Sequence, residues 1–423
     1  MRTPRLPAVP AAKGSIRIVG ATVIDGTGAE PRVADVEIVD GEIAAIGVSA
    51  AATRADTTIE ADGLFLTPGL IDTHVHLTMP NDSTDEQDRL KFMEEHAFAT
   101  AESMRLTLEA GVTAARDLAG LTPGYRKAVA AGLIPGPRMH VAITMLSPTG
   151  GHADPVHANG ARSLYEDFEA IASVGVVDTD DEVVKAIRTL VRTGADVIKI
   201  CTTGGIGSPE DSPEDLGIPE HHVRLMVEEL ARRGGRPIAA HAQGHEGALA
   251  AVRGGVASLE HGYEMSDELI AEMLARGTIL VPTLSTLSLT PDPAKKPPQV
   301  VAKKLEWQVR GRDSARRAIE AGVPVAMGTD AGIHPHGRNA AEIGHLVDAG
   351  MTPLQALHSC TMQSARLLGL ADHLGSVEPG KLADLVLWDV DPLSAPHSLS
   401  DAAHARVVMQ SGTARKDPDR LTA

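Results

Sequence analysis

His74 and His76 flank Val75 at the end of an apolar run that begins at Phe65. An extended backbone sends side chains to alternate faces, so residues i and i+2 leave on the same side. Two imidazoles placed that way can grip one cation, and histidine suits zinc and its transition-series neighbours. A lone His-x-His pair is as readily an ordinary surface feature. Four further side chains change that reading. Lys199 lies within Val197-Ile198-Lys199-Ile200, and His241 follows Ile238-Ala239-Ala240. His261 closes Ser258-Leu259-Glu260-His261, and Asp330 closes Met327-Gly328-Thr329-Asp330. Each stands in or at the end of its own apolar run, and together they predict a metal centre.

Lys199 supplies the least usual chemistry. Burial in an apolar strand strips its hydration and lowers its pKa. A neutral amine adds carbon dioxide to give a carbamate, N6-carboxylysine, whose two oxygens can bridge two cations. An unmodified ammonium paired with a carboxylate is the plainer alternative. Two divalent ions about 3.5–4 Å apart generate a hydroxide from water at neutral pH, suited to attack on an amide carbonyl. Asp330 is then a ligand and also the general base and acid. His152, in the glycine-rich stretch Gly150-Gly151-His152, is placed to reach the carbonyl oxygen, or else to bond only to backbone. Arg338 and His336 are candidates for holding a substrate carboxylate, arginine because it pairs with carboxylates in bidentate fashion. A loop-fixing salt bridge is the other role open to Arg338. Tyr263, two residues after His261, faces the same cavity or packs beneath a loop.

These residues need a scaffold that gathers strand ends. Eight candidate strands are readable in the middle of the chain: Phe65–Asp72, Val112–Asp117, Arg138–Ala142, Asp196–Cys201, Pro237–His241, Ser258–His261, Ile279–Pro282 and Val323–Asp330. Ala- and Leu-rich helical stretches such as Glu182–Arg192, His221–Arg233 and Ser314–Ala321 alternate with them. That alternation predicts an α/β fold, a (β/α)8 TIM barrel, whose chemistry sits at the C-terminal ends of the strands. Glycines at 111, 194 and 322 mark helix ends before the next strand. Both termini read as short strands instead. Ile16–Val19, Ala21–Ile24, Val36–Val39 and Ile43–Ile46 come first, with Asp40-Gly41 as a hairpin signal; Ala383–Trp388 and Ala405–Met409 come last. The expected organisation is a small β-sandwich domain built from residues 1–67 and 375–423 around a barrel at 68–374. Pro291–Val300 reads as a loop.

Composition narrows the partners. A net charge of −17 excludes nucleic acid and anionic membrane surfaces as natural ligands. Two cysteines, Cys201 and Cys360, are too few for a disulfide framework and fit a reducing compartment. No run approaches the roughly 18 apolar residues of a membrane helix, and residues 1–14 lack a signal-like apolar core, so a cytoplasmic location is expected.

The six ligand positions, with Ser147-Pro148-Thr149-Gly150-Gly151-His152, Lys199-Ile200-Cys201-Thr202-Thr203-Gly204-Gly205 and Pro335-His336-Gly337-Arg338-Asn339, resemble the amidohydrolase superfamily, in its binuclear subtype with a carboxylated lysine. The likeness is to an imidazolonepropionase-like branch with prolidases, Xaa-Arg/Lys carboxypeptidases and ochratoxin-hydrolysing amidases. It implies that His74, His76 and Asp330 hold the more buried ion, that His241 and His261 hold the more exposed one, and that carboxylated Lys199 bridges both, with zinc as the default metal. It also implies a homo-oligomer, often an octamer. Some peptidases of this branch carry tyrosine two residues after the strand-5 histidine and use it on the substrate α-carboxylate; Gln243 occupies that position here and can still donate a hydrogen bond. The expected activity is hydrolysis of a small amide or dipeptide, as a carboxypeptidase, dipeptidase or N-acyl amino acid amidase. A cyclic-amide or aryl-urea hydrolase is the alternative. A deaminase fits less well, because deaminases usually lack the strand-4 lysine.

Overall fold

The computed structural model describes residues 6–47, 55–79, 81, 92–156, 175–207, 210–294 and 297–422. The chain begins with β1 (Ser15–Val23), β2 (Arg32–Val39), β3 (Glu42–Ile46), β4 (Thr57–Glu60) and β5 (Phe65–Pro68). Asp40 and Gly41 turn β2 into β3 with φ of 49° and 86°, the left-handed pair that a tight hairpin needs. The two strands expected at Ile16–Val19 and Ala21–Ile24 are one. A bulge between Ile18 and Ala21 lets β1 run past β4 and then pair with β5 at Thr22 and Val23.

The middle of the chain supplies β6 (Leu70–Val75), β7 (Val112–Asp117), β8 (Arg138–Val141), β9 (Met145–Leu146), β10 (Ile198–Cys201), β11 (Ile238–Ala242), β12 (Ser258–His261) and β13 (Ile279–Val281). They pair in parallel, as β6-β7-β8 and as β9-β10-β11-β12-β13. Helices Met93–Glu109, Pro123–Ala130, Asp180–Thr193, Glu220–Ala231, His245–Gly254 and Asp267–Arg276 lie between them and Pro298–Glu320 follows β13, giving an α/β, TIM-barrel-like arrangement. Ile198, Ile200, Ala240 and Leu259 pack outward with helix residues Ile187, Leu190, Val223 and Met226. Burial of each large aliphatic side chain contributes about 1.5–3 kcal/mol. Alternate residues of the same strands are left to point inward.

Three expectations are corrected. The run Phe65–Asp72 is not one strand. It divides at Gly69, where a Cβ would lie 2.1 Å from Thr113 Oγ1; Phe65–Pro68 stays with the terminal strands and Leu70 onward pairs with β7. Residues 323–330 are not a regular strand, because Pro324 has no N–H and Asp330 turns left-handed with φ of 55°. They still bond on both sides: Leu280 N to Pro324 O at 2.9 Å, Thr73 N to Met327 O at 2.9 Å and Asp330 N to His74 O at 2.8 Å. The loop expected at Pro291–Val300 ends early, since Pro298 opens a 23-residue helix that reaches Glu320. Proline is well suited to a first helical turn.

The C-terminal β14 (Leu385–Trp388), β15 (Ala405–Gln410) and β16 (Thr413–Lys416) return to β5. The order is β16-β15-β14-β5-β1-β2-β3, with β4 on β1, so strands from both ends share one hydrogen-bonded sheet of eight. Ile18, Val36, Ile38, Leu66, Leu385, Leu387 and Val407 form its own apolar cluster. Buried Arg138, on β8, clasps Asp384 at 2.8 and 3.0 Å and Ser411 Oγ at 2.6 Å, tying the sheet to the α/β part. Among the described residues no helix is long and apolar enough to cross a membrane.

Candidate metal centre

On β6, alternation sends Val75 into the apolar core and leaves His74 and His76 on the other side, 1% and 6% exposed. His74 Nδ1 lies 2.9 Å from Glu260 Oε2, which leaves Nε2 as the outward atom, 3.5 Å from Asp330 Oδ1. His76 Nε2 lies 3.3 Å from the same oxygen. Ligand atoms of these three residues fall within 4.8 Å of one another. The ring of His261 is 5.1 Å from that of His74, and the ring of His241 is 4.6 Å from that of His261, so the four imidazoles form one cluster. Register explains the approach, because β11 sets Ala242 beside His261.

The rim is conformationally strained. His261, Thr283 and Asp330 have φ of 72°, 50° and 55°, each at a cost on the order of 1–3 kcal/mol for a non-glycine residue. At His261 the effect is specific. Adjacent residues of a straight strand face opposite ways, yet Glu260 and His261 both reach the surroundings of His74. His261 Nδ1 is fixed at 2.8 Å from Thr283 Oγ1.

Burial sets the protonation states. It pushes His74 and His241 well below the usual imidazole range and takes His261 down to about 3. These rings are neutral at pH 7 and carry lone pairs. Burial works to raise Asp330, but the hydrogen bond from His76 and the surrounding imidazoles hold it well below the usual carboxylate range, so Asp330 is ionised at pH 7. Lys199 is 1% exposed, burial lowers its pKa, and its Nζ has no hydrogen-bond partner among the described residues. An amine so placed is stabilised by losing its charge or by modification. Neutral nitrogen donors, one carboxylate and an orphaned amine suit a zinc-type cation far better than an oxygen-seeking one.

Several supporting residues went unread in the sequence. Glu260 is fully buried and accepts from Arg116 Nη2 at 2.8 Å as well as bonding His74. A carboxylate behind a metal-facing histidine fixes its tautomer and ring orientation. Asp72 accepts from Thr329 Oγ1 at 2.6 Å, Asn339 Nδ2 at 2.9 Å and His74 N at 3.1 Å, joining His74 to the Asp330 segment. Asp117, pushed up to about 6 by burial, accepts from Leu77 N at 2.8 Å just past His76. The available signal was charge inside apolar strands, at Asp72, Arg116 and Glu260.

The remaining candidates are placed unevenly. His152 stacks on His241 with centroids 4.1 Å apart, and its Nδ1 lies 2.7 Å from Asp211 Oδ2; its partner is thus a carboxylate, not backbone. Gln243 accepts from Ile206 N at 2.9 Å with its carbonyl, and among the described residues its amide hydrogens have no partner. Tyr263 is 1% exposed, with its hydroxyl 3.0 Å from Thr283 Oγ1. His336 Nε2 lies 2.8 Å from Met79 O. Arg338 is exposed. A second group, Asp180, His221 and His222, also brings ligand atoms within 4.8 Å, with Asp180 and His221 exposed.

Residues 65–415 match the amidohydrolase family. Ochratoxinase from Aspergillus niger is 29% identical over 369 residues, covering 84% of this chain and 76% of that protein. Imidazolonepropionase from Ralstonia nicotianae is 28% identical over 439 residues, covering 92% and 95%. The crystal structure of a Xaa-Pro dipeptidase with methionine bound in its active site superimposes with a TM-score of 0.86 at 31% identity, over 95% of this chain and 99% of that one.

Proposed function

The chain belongs to the amidohydrolase family, hydrolases of carbon–nitrogen bonds, and from that premise we propose that it is a binuclear metal-dependent enzyme that cleaves an amide or peptide bond in a small substrate. One observation carries this reading: Lys199 Nζ, buried with no hydrogen-bond partner among the described residues, stands close enough to His74, His241, His261 and Asp330 for their charges to interact. His74, His76 and Asp330 would hold one zinc ion, His241 and His261 would hold a second, and Lys199, once carboxylated, would supply oxygen ligands to the centre. The strands and the 323–330 segment are read as a closed (β/α)8 barrel over 68–374, with 1–67 and 375–423 as a small β-sandwich domain.

When bound, such ions acidify water and polarise a carbonyl. The chain's own groups do the rest. Asp330, buried and ionised beside His76, takes the proton of the attacking water and returns it to the leaving nitrogen. His152, held by Asp211, offers Nε2 to the carbonyl oxygen when the ring carries both protons. Gln243 offers its amide hydrogens to the substrate. The preferred reading is a carboxypeptidase, dipeptidase or N-acyl amino acid amidase, in keeping with relatives named as a Xaa-Pro dipeptidase and ochratoxinase. Hydrolysis of a non-peptide amide is the second reading. It is favoured by Arg338 lying exposed and by His336 using its Nε2 on Met79 O.

The test is a library of dipeptides, N-acyl amino acids, cyclic amides and aryl ureas incubated with the zinc-loaded protein, with the released amine measured. Turnover confined to the first two classes supports the preferred reading. Turnover confined to the others selects the second, and none at all overturns both.

A further inference from the structure

The helix Pro298–Glu320 carries adjacent lysines on its second turn. Lys303 Nζ donates to Gly205 O at 3.0 Å and also to Asp211 O, so it braces the loop that supplies the partner of His152. Lys304 Nζ donates to Thr286 O at 2.8 Å, and Thr286 Oγ1 lies 3.4 Å from Asp330 O. Lys304 therefore stands on the Asp330 side of the centre. It is half-buried; among the described residues its ammonium donates to Thr286 O and makes no ion-pair contact, the charge that acts on it being that of Asp330.

That contrasts with the other cations nearby. Arg116 is paired with Glu260 at 2.8 Å, and Arg310, further along the same helix, with Glu306 at 2.7 Å. A half-buried ammonium with no ion-pair partner in contact, on the side of a carboxylate that is itself committed to the centre, gains from a further anionic group. Beside a reaction centre, the group that arrives is the substrate.

We infer that Lys304 binds the terminal carboxylate of the substrate, which makes the preferred substrates N-acyl amino acids and dipeptides with a free C-terminus. The inference rests on the amide-hydrolysis reading above. It assigns to Lys304 the part that the sequence suggested for Arg338 and His336.

The experiment takes the library member cleaved fastest and prepares it as free acid and as C-terminal carboxamide. If that member lacks a carboxylate, the inference is already overturned. Otherwise kcat/KM is measured for both forms with the zinc-loaded wild type, K304R, K304M and K304Q, each checked for folding by circular dichroism. The wild type prefers the acid by about tenfold or more, as a charge-assisted contact implies. K304R keeps that ratio; K304M and K304Q lose it through a raised KM for the acid. A preference unchanged in K304M and K304Q, or absent in the wild type, overturns the role of Lys304 while leaving amide hydrolysis intact. No turnover of any library member sinks the hydrolytic reading and takes this inference with it.

Discussion

Glu260→Gln isolates the buried support of the centre. Glu260 is fully buried and answers three groups, Arg116 at 2.8 Å, His74 Nδ1 at 2.9 Å and the hydroxyl of Ser258. The substitution keeps shape and removes charge. Arg116, 1% exposed, retains its neutral contacts to Thr73 O and Ser258 Oγ but loses its counter-ion. Leaving one member of a buried pair unmatched costs about 3–5 kcal/mol. His74 loses the carboxylate that orients it, which lowers metal affinity about 10–100-fold. The two effects separate in the double variant R116M/E260Q. With no orphaned charge, its stability returns toward the wild type; its metal affinity stays low, because His74 still lacks the carboxylate. The assays are urea unfolding of the metal-free protein and zinc competition against a chelator. The reasoning is refuted if Glu260→Gln unfolds and binds zinc like the wild type, or if the double variant is as unstable as the two single losses summed.

Lys199→Ala is expected to lose most bound metal and activity, with both partly restored by added propionate; metal content and activity unaltered by the substitution would remove the bridging role. His152→Ala should lower kcat about 10²–10³-fold, as for loss of an oxyanion donor, with metal content intact, and loss of metal instead would make His152 a ligand. The buried histidines also predict a pH effect on the metal-free protein. His261 titrates at about 3 in the folded chain and near 6.5 when unfolded, so the unfolded state takes protons first. Stability present above about pH 6.5 is then lost as pH falls, by about 2 kcal/mol for His261 between pH 6.5 and 5. His74 and His241 shift the same way, and a urea midpoint flat across that range would contradict the neutral assignment.

The proposed ligands were legible as candidates because each ends or interrupts an apolar run, and a strand in this architecture has one place to send a polar side chain. Cross-chain partners were less legible. Glu260 lies 186 residues from His74 and 144 from Arg116, and Asp72 lies 267 from Asn339; no local period links them. The left-handed turns at His261 and Asp330 were hidden because neither is glycine, and left-handed backbone is read mainly from glycine. The break at Gly69 was masked by continuous hydrophobicity, since strands buried on both faces show no alternation. The early start of the helix at Pro298 was lost to the prolines and lysines before it, which read equally well as loop.

Anomalous diffraction from crystals of the zinc-loaded protein grown with bicarbonate tests the central claim most directly. Two zinc peaks within the cluster of His74, His76, His241, His261 and Asp330, joined by density extending Lys199 by a carboxylate, are predicted. A single peak or none in the fully loaded protein, with Lys199 ending at its amine, would contradict the account.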